Sequence, residues 1–150
     1  MKSILVLGAG RSCSTLTKRL LDRSEECGWK VIVGDIDLSV AQQKVSGHER
    51  REAFQLSVLD NIERDKRIGE ADLVMSMVPA FLHASVAKVA IAAGVPVITP
   101  SYLSDEMMSL DEAAKEAGVL VLNEIGLDPG IDHMSAMKVI DEIKSDGGVM

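Results

Sequence analysis

Residues 3 to 13 read SILVLGAGRSC, a short apolar run that breaks into two glycines and then opens a stretch with leucines at Leu16, Leu20 and Leu21. An aliphatic run of that length suits a buried strand, and the leucine spacing beyond the turn is that of a helix. Strand, glycine turn and helix make the first half of a βαβ unit. Working outward, the same alternation fills the chain. After Ser12 to Glu26, KVIVG precedes Leu38 to Val45, AFQLSV precedes Asn61 to Ile68, and ADLVMSMV precedes Phe81 to Ala93. VPVIT then precedes Asp105 to Ala117, and GVLVL precedes Ile131 to Ile143. Strands alternating with helices predict an α/β protein with a doubly wound parallel sheet and helices on both faces.

The glycine turn gives this class its first functional expectation. Gly8-Ala9-Gly10-Arg11-Ser12-Cys13 follows a strand and opens a helix, which is the setting of the dinucleotide fingerprint G-x-G-x-x-G/A in a Rossmann-type domain. The first glycine allows a tight turn, the second lets the backbone approach a pyrophosphate, and the third allows close packing of helix on strand. Cys13 occupies the third position and is small enough to pack there. The helix amino terminus supplies N–H groups for an anion, so Gly8, Gly10, Arg11, Ser12 and Cys13 are candidate cofactor residues.

The second strand ends in Gly34-Asp35-Ile36-Asp37. A carboxylate at this point hydrogen-bonds ribose hydroxyls and repels a 2′-phosphate, so Asp35 favours NAD over NADP. Two alternatives stand beside that reading: Asp35 caps the next helix, or Arg11 meets a 2′-phosphate. Ser57 and Val58 are placed to flank the adenine. Val78 and Pro79 are placed near the nicotinamide, with Pro79 at the first position of the next helix. His83, in that helix, is read as a packing or surface residue rather than a ligand.

Composition narrows the function classes. The 150 residues are 47% hydrophobic, which fits one globular domain burying roughly two-thirds of its unfolded surface. Sixteen Lys and Arg against 23 Asp and Glu give a net charge of -7, the wrong sign for nucleic acid, and 3% aromatic content leaves no base-stacking platform. Cys13 and Cys27 show neither metal-ligand nor disulfide spacing, which suits a reducing, cytoplasmic setting. The first ten residues are too short and too early broken for a signal peptide or a span, so a soluble protein away from membranes is expected. In KSDGGVM, the Gly147-Gly148 pair reads as a helix stop before a further strand, as though residues 1–150 were one domain of a larger enzyme.

The most chemically loaded stretch is Asn123 to Met134, NEIGLDPGIDHM. It sets Glu124, Asp128, Asp132 and His133 around a Pro-Gly pair at a strand-to-helix turn, on the edge where open α/β sheets bind ligands. Asp128 also reads as the N-cap of the last helix with Pro129 as its first residue. Asp132, four residues on, would then share the helix end, and mutual repulsion would raise one carboxyl's pKa. Tyr102, the one tyrosine, ends the fifth strand and is either a hydrogen-bond donor to substrate or cofactor or a packing residue under the last helix.

Together, LVLGAGR, SMVPAFLHASVAKVAIAAGV, ITPSYLSDEM and above all NEIGLDPGIDHMSAMKVID resemble the amino-terminal nucleotide-binding domain of the glutamate-forming saccharopine dehydrogenase (saccharopine reductase) family. The resemblance implies an NAD(P)(H)-dependent oxidoreductase of lysine metabolism. Such enzymes join 2-aminoadipate semialdehyde and glutamate through an imine and reduce it to saccharopine, reversibly. It places Gly8 and Gly10 at the cofactor phosphates, Val78 and Pro79 near the nicotinamide, and Tyr102 and Asp128 as catalytic residues at the junction of cofactor and substrate. It also implies a small amino-acid substrate, a homodimer, and a following substrate-binding and dimerisation domain. The family suggests NADP where Asp35 suggests NAD. A carboxyspermidine-type imine-reducing dehydrogenase and a non-enzymatic dinucleotide-sensing module are the alternatives.

Overall fold

The computed structural model describes residues 1–149. Strands β1 (Lys2–Leu7), β2 (Trp29–Asp35), β3 (Arg51–Gln55), β4 (Leu73–Ser76), β5 (Val97–Ile98) and β6 (Val121–Leu122) form one sheet in the order β3-β2-β1-β4-β5-β6. Every neighbouring pair is parallel. Between and after them lie helices α1 (Ser14–Asp22), α2 (Ser24–Cys27), α3 (Leu38–Val45), α4 (Asn61–Gly69), α5 (His83–Ala92), α6 (Asp105–Met108), α7 (Asp111–Ala117) and α8 (Ile131–Ser145).

Alternation along β1 divides the core between the two faces of the sheet. Leu5 and Leu7 join Ile68 of α4 and Val86 of α5, while Ile4 and Val6 join Leu21 of α1 and Val45 of α3. Each such side chain, taken fully out of water, contributes about 1.5–3 kcal/mol of burial. Because β1 lies between β2 and β4, the chain leaves it in opposite directions on its two sides. A crevice opens there at the carboxyl edge.

The elements differ in detail from those predicted. The first helical stretch begins as a single 3-10 turn, Arg11–Cys13, and breaks at Arg23 between α1 and α2. The predicted helix over Asp105 to Ala117 is two, because the Leu110 N–H closes back on the Met107 carbonyl and the Ser109 hydroxyl on the Glu106 carbonyl. Pro79 precedes a 3-10 turn, Ala80–Leu82, instead of opening α5 directly. Val149 is in no strand, and Met150 lies outside the described residues. Helix α8 follows the predicted spacing, yet none of its residues is buried, and Ile131, Met134 and Met137 are 57%, 58% and 49% exposed.

Candidate active site at the carboxyl edge

At the crevice the chain leaves β1 through Gly8, whose φ of +100° is open to glycine and strained for other residues. A cavity of about 570 Å³ lies above it. Gly8, Gly10 and Ser12 form one side, Asp35 follows from β2, Ser57 and Val58 come from the loop after β3, and Val78 and Pro79 from the loop after β4. The cofactor residues expected from sequence therefore converge on one space, apart from Arg11 and Cys13. Arg11 is exposed. Cys13 is wholly buried, its Sγ donating to the Gly10 carbonyl at 3.1 Å, and burial pushes its thiol pKa up. It serves as the packing residue of the third fingerprint position and does not line the cavity.

The fit to a dinucleotide is geometric. A Cβ added at Gly10 would meet nothing within 4 Å, so the backbone there faces open space that a phosphate can approach. The N–H groups of Arg11 and Ser12, which open the 3-10 turn, stand at the head of a helix, where such groups lack intrahelical partners. A volume of this size lies within the usual range for cofactor pockets.

Asp35 has a use that sequence reasoning missed. Its Oδ2 accepts the Ala9 N–H at 2.6 Å and its Oδ1 accepts the Asp37 N–H at 2.9 Å, so the carboxylate ties the glycine turn to the end of β2. It is not the cap of α3: Asp37 is, accepting the Ser39 and Val40 N–H groups. The inference from Asp35 to NAD loses force, since both oxygens already serve main-chain donors. Replacing Asp35 with Asn sets an amide against one of those donors. The Asp35→Asn protein is expected to lose about 1–3 kcal/mol of stability, read as a lower melting temperature. An unchanged melting temperature would mean that the tie contributes nothing.

Further along the same edge, the Tyr102 hydroxyl donates to Asp128 Oδ1. The bond to Asp128, with burial and the neighbouring acids, holds the phenol's pKa above its ordinary value. What brings the pair together is the folding of residues 126–132. The Gly126 N–H donates to the Pro129 carbonyl at 2.8 Å, and the Ile131 N–H to the Gly126 carbonyl at 3.0 Å. A Cβ at Gly130, where φ is +146°, would fall 2.1 Å from the Gly126 oxygen. A Cβ at Gly126 would fall 2.8 Å from the Pro100 oxygen. The two glycines thus close a tight loop and seat it against the turn that carries Tyr102.

This loop overturns the helix start read from sequence. Gly130 is the N-cap and Ile131 the first helical residue, so Asp128 is no cap and Pro129 does not open the helix. Asp132 does not share the helix end with a repelled neighbour. Burial pushes its carboxyl up, but hydrogen bonds from His133 and Gly130 and the histidine charge outweigh that, and its pKa is lowered. His133 Nδ1 lies 2.9 Å from Asp132 Oδ1.

Two residues have partners that the sequence did not disclose: Glu124, from the acid-rich stretch, and His83, read as a packing or surface residue. Glu124, at φ +64°, donates its N–H to the Ser101 carbonyl and accepts the Leu103 N–H, bracketing Tyr102. His83, only 3% exposed, lies 2.8 Å from the Ser76 hydroxyl through Nδ1 and 2.8 Å from the Ser101 hydroxyl through Nε2. Burial lowers its pKa below the ordinary 6.5. The unfolded chain therefore takes up a proton that the folded one resists, and this part of stability, complete above pH 6.5, is lost as pH falls below it. The melting temperature is expected to fall between pH 7 and pH 5, and to fall less in His83→Gln. An equal fall in both would show that His83 does not cause it.

The chain is similar to known proteins over nearly its whole length. The family model described as the saccharopine dehydrogenase NADP binding domain matches residues 4–122. A saccharopine dehydrogenase of Pyricularia oryzae, named as NADP(+)-dependent and L-glutamate-forming, is 43% identical over 98% of this chain and 32% of its own length. An alpha-aminoadipic semialdehyde synthase of Arabidopsis thaliana is 38% identical over 93% of the chain and 15% of its length. The structure of the apo L-Glu-forming saccharopine dehydrogenase of Saccharomyces cerevisiae superposes with a TM-score of 0.84 at 36% identity, covering 98% of this chain and 32% of that one. The chain thus spans about a third of the length of the saccharopine dehydrogenases it matches. With most of its residues inside the family model, this chain belongs to the saccharopine dehydrogenase NADP-binding domain family.

Proposed function

We propose that residues 1–150 act as the NADP(H)-binding domain of an L-glutamate-forming saccharopine dehydrogenase, an enzyme acting on a CH–NH bond in lysine metabolism. One observation carries the reading: a phenol–carboxylate pair, Tyr102 and Asp128, stands on the same sheet edge as a dinucleotide-sized cavity. NADP, when bound, supplies hydride transfer to and from the substrate carbon. The protein's own residues hold the cofactor and move protons. Gly8, Gly10 and Ser12 receive its phosphates, Asp35 keeps that turn in place, Ser57 and Val58 flank the adenine, and Val78 and Pro79 wall the nicotinamide. The exposed Arg11, between two cavity residues, is a cation available to a 2′-phosphate.

In the oxidative direction the bound cofactor would supply the oxidation of saccharopine's CH–NH bond to an imine, and this chain's residues would act on the hydrolysis that follows. Water adds to the imine carbon. Asp128 takes a proton from that water and passes it to the imine nitrogen, then relays the adduct's hydroxyl proton to the same nitrogen as the C–N bond breaks, and Tyr102 orients the carboxylate through its hydrogen bond. Glutamate and 2-aminoadipate semialdehyde result. The substrate and dimerisation walls come from a further domain, and the exposed apolar residues of α8 are a surface for it to cover. The enzyme is proposed to work as a homodimer in a reducing compartment such as the cytoplasm, which its two free thiols suit.

The test joins two measurements. The 150-residue chain is titrated with NADPH, and the full-length gene product is assayed for NADP⁺-dependent oxidation of saccharopine by NADPH absorbance. Binding with turnover is expected. Tight binding by the chain with no saccharopine oxidation by the full-length protein would sink the enzymatic reading.

A further inference from the structure

We propose that His83 is a positioning residue: its imidazole, bridged between the Ser76 and Ser101 hydroxyls, fixes the turn after β5 so that Tyr102 meets Asp128. The inference rests on the reading above only for its consequence on turnover; the geometry stands without it. Ser76 ends β4, is wholly buried, and is followed by Met77, whose N–H donates to the Leu7 carbonyl at 2.8 Å. His83 begins α5, among Ala84, Val86 and Ala87 of the main core. Together they form a rigid reference at the middle of the sheet. Ser101, immediately before Tyr102, belongs to a less constrained part.

The remaining ties of that turn are few. Strand β5 has two residues, and the Ser101 N–H reaches Thr99 Oγ1 only at 3.4 Å. The Thr99 N–H donates to the Leu122 carbonyl at the end of β6, the Ile125 N–H reaches the Thr99 carbonyl at 3.4 Å, and the bonds around Tyr102 run to Glu124, itself on the loop that leads to Asp128. Without His83, the Tyr102 turn and the Asp128 loop would hold each other, and their hydrogen-bonded link to β4 would run by way of the two-residue β5. Stability alone does not explain the device. A buried imidazole between two hydroxyls brings a desolvation cost that an apolar side chain in this alanine- and valine-rich helix would avoid, and its gain is fixed geometry. Burial also favours the neutral ring, which donates through one nitrogen and accepts through the other.

Tyr102 is the single tyrosine of the chain, so its contact can be read directly. In the 150-residue chain carrying ¹³C at the tyrosine Cζ, one signal at neutral pH reports whether the phenol donates to a carboxylate. The wild-type signal is expected to be displaced from that of a free tyrosine toward the ionised phenol. Asp128→Asn, the control, should remove most of the displacement. Ser101→Ala and His83→Asn should reduce it as well, since Asn reaches only the Ser76 side. His83→Gln, which reaches toward Ser101, should retain more of it than His83→Asn.

If Ser101→Ala and His83→Asn leave the signal where wild type has it while Asp128→Asn moves it, the inference is overturned. Should His83→Asn fail to fold, Ser101→Ala decides alone. A wild-type signal at the free-tyrosine value overturns it too, by removing the contact that His83 is held to set. The saccharopine assay is independent of all these signals, so failure of the enzymatic reading is seen separately. In an active full-length enzyme, Ser101→Ala should lower kcat on the order of tenfold while changing the KM for NADPH less than about threefold.

Discussion

Replacing Gly8 with alanine is expected to cost the protein both its nucleotide and a large share of its stability. At φ +100° an alanine is strained, and its Cβ would fall 2.7 Å from the Met77 carbonyl oxygen and 2.9 Å from the Met77 carbon. Both atoms are backbone, held by the bond from the Met77 N–H to Leu7, so no flexible side chain can swing away. Strain and overpacking together amount to about 2–5 kcal/mol. For a domain of this length that lowers the melting temperature by roughly 5–15 °C. The displacement also falls on the cavity itself, because Gly8 and Met77 both line it. NADPH affinity should drop by at least an order of magnitude. The paired measurements are a melting curve and an NADPH titration on the same preparation. A protein that melts and binds like wild type would show that the turn is looser than its geometry says.

The second large effect belongs to Asp128→Asn in the full-length protein. The amide keeps an oxygen that can accept the Tyr102 hydroxyl but cannot serve as a proton acceptor in imine hydrolysis. A positioned acid or base typically contributes a factor of about 10²–10⁴, and turnover is expected to fall by that much. NADPH affinity should stay within about threefold, because Asp128 is not among the residues lining the cavity. Steady-state kinetics with saccharopine, together with direct NADPH titration, separate the two. Equal loss of turnover and affinity would make Asp128 a structural residue of the loop rather than a proton carrier.

What the sequence disclosed and what it hid follow from the range of the interactions involved. The alternation of apolar runs and amphipathic stretches is local, so the six strands and their helices were readable along the chain. Gly8 through Cys13 was readable because a turn and the helix it opens are neighbours. The convergence of Ser57, Val58, Val78 and Pro79 followed from the rule that loops after parallel strands meet at one edge. The bond from the Ala9 N–H to Asp35 joins residues 26 positions apart, and nothing local distinguishes that use of a carboxylate from ribose binding or capping. His83 was hidden for a similar reason: its two serine partners lie 7 and 18 positions away on different strand ends. At Asp128-Pro129 the local signals for a helix cap were present and misleading. The closing of Gly126 on Pro129 and Gly130 moved the helix start to Ile131 and left Asp128 free to meet Tyr102.

The central claim is that the crevice above β1 holds the dinucleotide. It is tested most directly by adding NADPH to the ¹⁵N-labelled chain and following every amide signal. The expected result is saturable change centred on Gly8, Gly10, Ser12, Ser57 and Val78, the residues that line the cavity. No saturable change, or change confined to the groove beside β6 lined by Leu103, Met107 and Leu120, would contradict it.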